Sequence, residues 1–118
     1  MAFGATLQQT GADTYVIQRS EVNTIHDHKE ELIAGGERKG EYRNGHWWGV
    51  RVVSLVPGSI YERMGLKPGD VLVKANGFLL GFPPQQMAAF AQLKTAPRME
   101  LDIERDGQII RKTYFLQD

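Results

Sequence analysis

Apolar and polar positions change period several times along the chain, and each change predicts an element. Tyr15-Val16-Ile17 is a short apolar run that predicts a strand. From Glu21 to about Ala34, the residues Val22, Ile25, Leu32 and Ile33, with the stem of Lys29, fall roughly on one helical face. Ser20 is the expected N-cap of that helix, and Gly35-Gly36 its end. A polar strand over Glu37–Tyr42, a turn at Asn44-Gly45 and a Val/Trp-rich strand from Trp47 to Val56 follow. A helix is expected from near Pro84 to just before Pro97. The last apolar-polar alternation, around Leu101 and Ile103, predicts a hairpin turning at Asp106-Gly107.

Between the Val/Trp-rich strand and the Pro84 helix, "PGSIYERMGLKPGDVLVKANG" (Pro57–Gly77) is dense in glycine and proline. Pro57-Gly58 and Asn76-Gly77 are turn dipeptides. Ser59 has the chemistry of an N-cap for one or two turns over Ile60–Met64, and Gly65 that of a left-handed C-cap. Pro68-Gly69-Asp70 makes another turn before a short buried strand, Val71–Ala75. The stretch reads as scaffold. Strands and two helices without regular βαβ spacing define a small α+β domain with a curled antiparallel sheet.

Composition narrows the function. The 118 residues make one domain with room for a core. Fourteen basic residues balance fourteen acidic ones, leaving no net field for nucleic acid or an anionic membrane. The absence of cysteine excludes disulfides and cysteine catalysis. No apolar run approaches the ~18–20 residues that span a bilayer. Residues 1–13, small and polar, are expected to be a leader or linker, with disorder allowed there, ahead of a domain over 14–118.

Catalytic and metal chemistry find no support. His26 and His28 sit two apart on the predicted helix and face opposite ways, a poor geometry for sharing a metal. Ser59 is explained as a helix cap and Asp70 as a turn former, so neither suggests a hydrolase. Catalytic residues, metal and cofactor are all expected to be none.

"GVRVVSLVPGSIYERMGLKPGDVLVKANG" (Gly49–Gly77) resembles a PDZ domain, with its strand, Pro-Gly-Ser, short helix, Gly-Leu-x-x-Gly-Asp, strand and Asn-Gly. "FAQLK" and "IERDGQ" sit where that fold has its second helix and final hairpin. The preceding strand and the Arg19, Glu21, Val22 helix start resemble the C-terminal PDZ domain of type II secretion system protein C (general secretion pathway protein C). Trp47-Trp48 and "AGGERKGEY" depart from that subfamily's pattern. The resemblance implies a partly open barrel with the bacterial strand order. It also implies a non-enzymatic module on the periplasmic side of a bacterial inner membrane, anchored outside this sequence. Its partners would be secretin periplasmic domains and exported proteins, with weak self-association allowed. The alternative is a regulatory, peptide-sensing PDZ domain of an HtrA-like or membrane-embedded protease.

A PDZ groove adds an extended ligand to a sheet edge beside a helix. The resemblance places Glu37, Arg38, Lys39, Gly40, Glu41 and Tyr42 on that edge, and Gln86, Phe90 and Leu93 along the helix. Core packing explains Phe90 and Leu93 equally well. Gly35-Gly36 is either a carboxylate-binding loop or, preferably, a helix C-cap. Trp47 and Trp48 should face opposite sides of their strand, one in the core and one partly exposed as a partner contact.

Overall fold

In the computed structural model, which describes residues 5–28, 30 and 34–118, eight strands and three helices follow one another among the described residues. The expected elements keep their order, and short strands at Gln8–Gln9 and Phe78–Leu79 were not expected. The elements are β1 (Gln8–Gln9), β2 (Thr14–Gln18), α1 (Arg19–Asp27), β3 (Gly36–Arg43), β4 (His46–Leu55), α2 (Ile60–Arg63), β5 (Val71–Ala75), β6 (Phe78–Leu79), α3 (Pro83–Gln92), β7 (Arg98–Arg105) and β8 (Gln108–Gln117). The turns are set by local chemistry. Asn44-Gly45, Asn76-Gly77 and Asp106-Gly107 each have positive φ at both residues, as the tight hairpin turn requires. Ser59 caps α2 by accepting the Glu62 N–H at 3.4 Å.

The strands form one open sheet in the order β1-β2-β8-β7-β5-β4-β3, with β6 on β5. Every pairing is antiparallel except β2 with β8, which run parallel from Thr14↔Thr113 to Gln18↔Gln117. The fold is therefore the expected small α+β domain, with one parallel pair that local patterning does not encode. One apolar cluster, Ile17, Ile25, Ile60, Leu93 and Leu116, joins the three helices to the sheet. A second, including Tyr15, Leu66, Leu101, Ile103 and Tyr114, lies against the sheet centre.

Helix α1 departs from expectation at both ends. It starts at Arg19, not Glu21, and the N-cap position is Gln18, which makes no side-chain cap bond. Side-chain bonds to distant segments anchor the start of the helix instead. Arg19 Nη1 donates to the carbonyls of Leu93 and Ala96, at 3.1 and 2.8 Å, and Arg19 also pairs with Asp118. Glu21 accepts the N–H groups of Ala5 and Thr6 and the Thr6 hydroxyl, tying down part of the segment expected to be a leader. The helix stops at Asp27, where His28 leaves helical geometry. Of the expected apolar face, Lys29, Leu32 and Ile33 lie outside the described residues. Gly36 is not a left-handed cap, since its φ is not positive. Gly36 opens β3, and the Gly35 carbonyl accepts the Val56 N–H at 2.9 Å.

Candidate functional site

The site begins at the sheet's end. Strand β3 pairs with β4 on one side and with no described strand on the other, so it presents a free edge. Beside it, between the sheet and the helices, lies an apolar cavity of about 200 Å³. Arg38 and Val50 line it from the β3–β4 hairpin, Tyr61 from α2, and Gln86 and Phe90 from α3. Val22 and Ile25 of α1, part of the predicted apolar stripe, close another wall.

The expected site residues divide by face. Arg38 reaches the cavity mouth, where its Nη1 donates to the Tyr61 hydroxyl at 3.1 Å and its guanidinium lies 5.9 Å from that ring centre. Gly40 pairs with Val50, which puts it on the same cavity-facing side. Glu37 and Lys39 are exposed, and the Glu37 N–H donates to Ser54 Oγ at 3.3 Å. On α3, Gln86 Nε2 donates to the Leu80 carbonyl. Phe90 is half-buried with its ring 5.9 Å from that of His26, and Leu93 lines the cavity from the core cluster. Arg38, Gln86, Phe90 and Leu93 are thus brought together around one cavity, whereas Glu41 turns away from it.

Glu41 stands in a charge quartet on the opposite face of the hairpin. It accepts from Arg51 Nε at 3.0 Å and from Arg43 Nη2 at 2.9 Å, and Arg43 continues to Glu104 at 2.6 Å. The hydrogen bonds from Arg51 and then Arg43 hold the Glu41 carboxyl down at about 2. Its pKa lies below the unfolded value, so its contribution is full above the ordinary carboxylate range. That contribution is lost as pH falls toward 2. Glu41→Gln should therefore cost on the order of 1–2 kcal/mol at pH 7 and flatten the acid limb of stability, measured by urea unfolding between pH 7 and pH 2. The figure is below the full linkage value because Arg43 and Arg51 remain about a third exposed. An unchanged acid limb would show that the quartet does not couple to folding.

Both tryptophans are exposed, Trp47 by 50% and Trp48 by 37%, so neither is core. The reason is the hairpin's reach. β4 pairs with β5 only at Val50 and Arg51, leaving Trp47 and Trp48 beyond the β5 pairing. Trp48 lies on the quartet face, 5.6 Å from the Arg43 guanidinium. Trp47 lies on the other face, over Gly40, and meets the Tyr42 ring edge-on at 4.9 Å. Tyr61 and Trp47 were not among the expected groove residues. The two-residue offset of Tyr61 from its cap and the glycine inside β3 were the available signals.

His26 and His28 pair with Asp27 and Glu30 respectively, and His26 also packs on Phe90 rather than standing on a purely polar face. Among the described residues no group of three His, Cys, Asp or Glu is placed to hold a metal.

No protein-family model matches the chain, and no curated protein matches it. Solved structures do. The PDZ domain of EpsC from Vibrio cholerae, residues 204–305, aligns at 26% identity and a TM-score of 0.57, covering 81% of this chain and 91% of that one. A shorter form, residues 219–305, aligns at 27% and 0.51, covering 67% and 91%. The PDZ domain of the pullulanase C protein of the type II secretion system from Klebsiella pneumoniae, solved with a fatty acid, shares the fold at 21% and 0.53, covering 75% and 99%. The fold is that of a PDZ domain. It is similar to the PDZ domains of EpsC and, in fold, to that of the pullulanase C protein.

Proposed function

We propose that this chain is a protein-binding PDZ module of a type II secretion machine, acting on the periplasmic side of a bacterial inner membrane. It takes an extended segment of a secretin periplasmic domain or of an exported protein onto β3, and so helps link the inner-membrane platform to the secretin. One observation carries the reading: the free edge of β3 runs beside a cavity that Arg38, Gln86 and Phe90 line together. Unpaired strand N–H and C=O groups next to an apolar recess are what β-augmentation requires. The residues that would contact the ligand are Glu37–Tyr42 along the strand, with Gln86, Phe90 and Leu93 along α3.

Affinity should be weak, about tens of micromolar or poorer, because one short strand offers few anchors against the entropy of ordering it. Backbone amide shifts followed by NMR during titration with folded secretin domains test this. Shifts running along β3 and the first turns of α3, whether or not a C-terminal carboxylate is free, are the expected result. Shifts confined to free-carboxylate peptides would favour a protease-type sensor instead. Shifts that avoid both elements would overturn the groove.

A further inference from the structure

We infer that the β3 edge selects an internal acidic segment in which a carboxylate side chain and a large aromatic side chain stand two residues apart. The inference rests on β3 taking an added strand, and it concerns which strand.

Two residues of β3 face the cavity side in succession, Arg38 and Gly40. Side chains two apart along a strand share a face, and an added neighbour obeys the same period. Whatever lies beside Arg38 and beside Gly40 must therefore be two residues apart in the ligand, in either strand direction.

Beside Arg38 the complement is negative. Among the described residues no carboxylate pairs with its guanidinium, which is held at the cavity mouth by the Tyr61 hydroxyl and ring. That leaves N–H donors for a carboxylate, in the fork geometry arginine offers. Arg43 and Arg51, by contrast, are committed to Glu41 and Glu104 on the opposite face.

Beside Gly40 the complement is a ring. Trp47 is laid across Gly40 so closely that a Cβ there would overlap its six-membered ring. The missing side chain lets an aromatic face spread over the strand. Trp47 remains half exposed and Tyr42 is 58% exposed, so the pair forms a shelf at the hairpin end of β3. A ring added over such a shelf gains offset or edge-on contacts beyond its area.

The carboxylate belongs to a side chain rather than a chain end. Arg38 lies two residues inside β3, so an added strand has ladder to continue along past it. Gly36 has no positive φ to complete an anion nest of the alternating-handed kind, and the Glu37 N–H is engaged by Ser54 Oγ.

The test uses peptides with both ends capped, of alternating threonine and valine, carrying Glu and Phe two positions apart. Controls replace Glu by Gln, replace Phe by Ala, or move Phe next to Glu. Binding is read from β3 amides and the Trp47 indole N–H by NMR. The Glu-x-Phe peptides, in either order, should bind about tenfold better than each control. Trp47→Ala should abolish the preference for Phe over Ala, and Arg38→Gln the preference for Glu over Gln. Equal shifts on β3 for all peptides, or preferences that survive in the variants, would leave strand addition standing and overturn this selection. Binding only by peptides with a free C-terminus would also overturn it. If no peptide moves the β3 amides, strand addition and the selection fall together.

Discussion

Asp70→Ala is expected to lower the unfolding free energy by about 2 kcal/mol or more, because it removes a buried carboxylate from a guanidinium that is only about a fifth exposed. Asp70 is 1% exposed. Its two carboxylate oxygens take Arg105 Nε at 2.9 Å and Nη2 at 2.7 Å, and Oδ2 also takes the Lys67 N–H at 2.8 Å. Arg105 Nη2 donates in turn to the Gly65 carbonyl at 3.0 Å. Alanine would leave the Lys67 N–H without its acceptor and the guanidinium with only the Gly65 carbonyl. Asp70→Asn keeps an acceptor oxygen for the Lys67 N–H and should cost less. Urea unfolding at pH 7 reads both, with an unchanged m-value if only stability moves. A loss below about 1 kcal/mol for the alanine variant would mean that water reaches Arg105 well enough to replace the carboxylate.

Asp70 also shows where local reading stops. Its place after Pro68-Gly69 announces a turn, and the turn is there, with Gly69 at φ +94°. The ion pair to Arg105 joins residues 35 apart, and nothing in the turn signals it. The same holds along β8. Lys112 is buried while Ile109 and Phe115 are exposed, the reverse of a simple apolar-in rule. The lysine is tolerated inside because its ammonium meets Asp13 at 3.0 Å, 99 residues away in sequence, and rests against Tyr15. Elements set by local chemistry were legible: the Asn-Gly and Asp-Gly turns and the Ser59 cap, and β5 from its apolar run between turns. The parallel pairing of β2 with β8 was not, because it is decided by partners at opposite ends of the chain.

For the candidate site the division is similar. That Glu37–Tyr42 forms a strand was legible from the turns around it. That it is an edge depends on the sheet order, which the PDZ resemblance supplied and periodicity could not. Gly40 carried an unused signal, since glycine inside a strand marks a close approach, here that of Trp47. The adjacent tryptophans were correctly assigned to opposite faces, but their exposure follows from how few residues of β4 reach β5. Arg38 gave no local cue. Only the placement of α2 brings Tyr61 to meet it.

Gly65→Val should cost about 2–5 kcal/mol, the sum of backbone strain and overpacking. Gly65 follows α2 with φ +84°, where a β-branched residue is strained whatever the space around it. Space is also absent. A Cβ would overlap the Tyr15 hydroxyl and come within 3.1 Å of Lys112 Nζ. Tyr15 cannot simply swing aside, because its ring stacks on Tyr114 at 4.8 Å, and Tyr114 is held by its hydroxyl donating to the Met64 carbonyl at 2.7 Å. The two causes separate in a double-mutant cycle of Gly65→Ala with Tyr15→Phe. Removing the hydroxyl should recover about 1 kcal/mol of the alanine variant's loss, and the remainder is the left-handed strain. Thermal and urea unfolding of the four proteins would give the coupling. If Gly65→Val melts like the parent, the residue is not a left-handed cap. If the cycle shows no coupling, the strain alone accounts for the loss, and Tyr15 yields to the new side chain without cost.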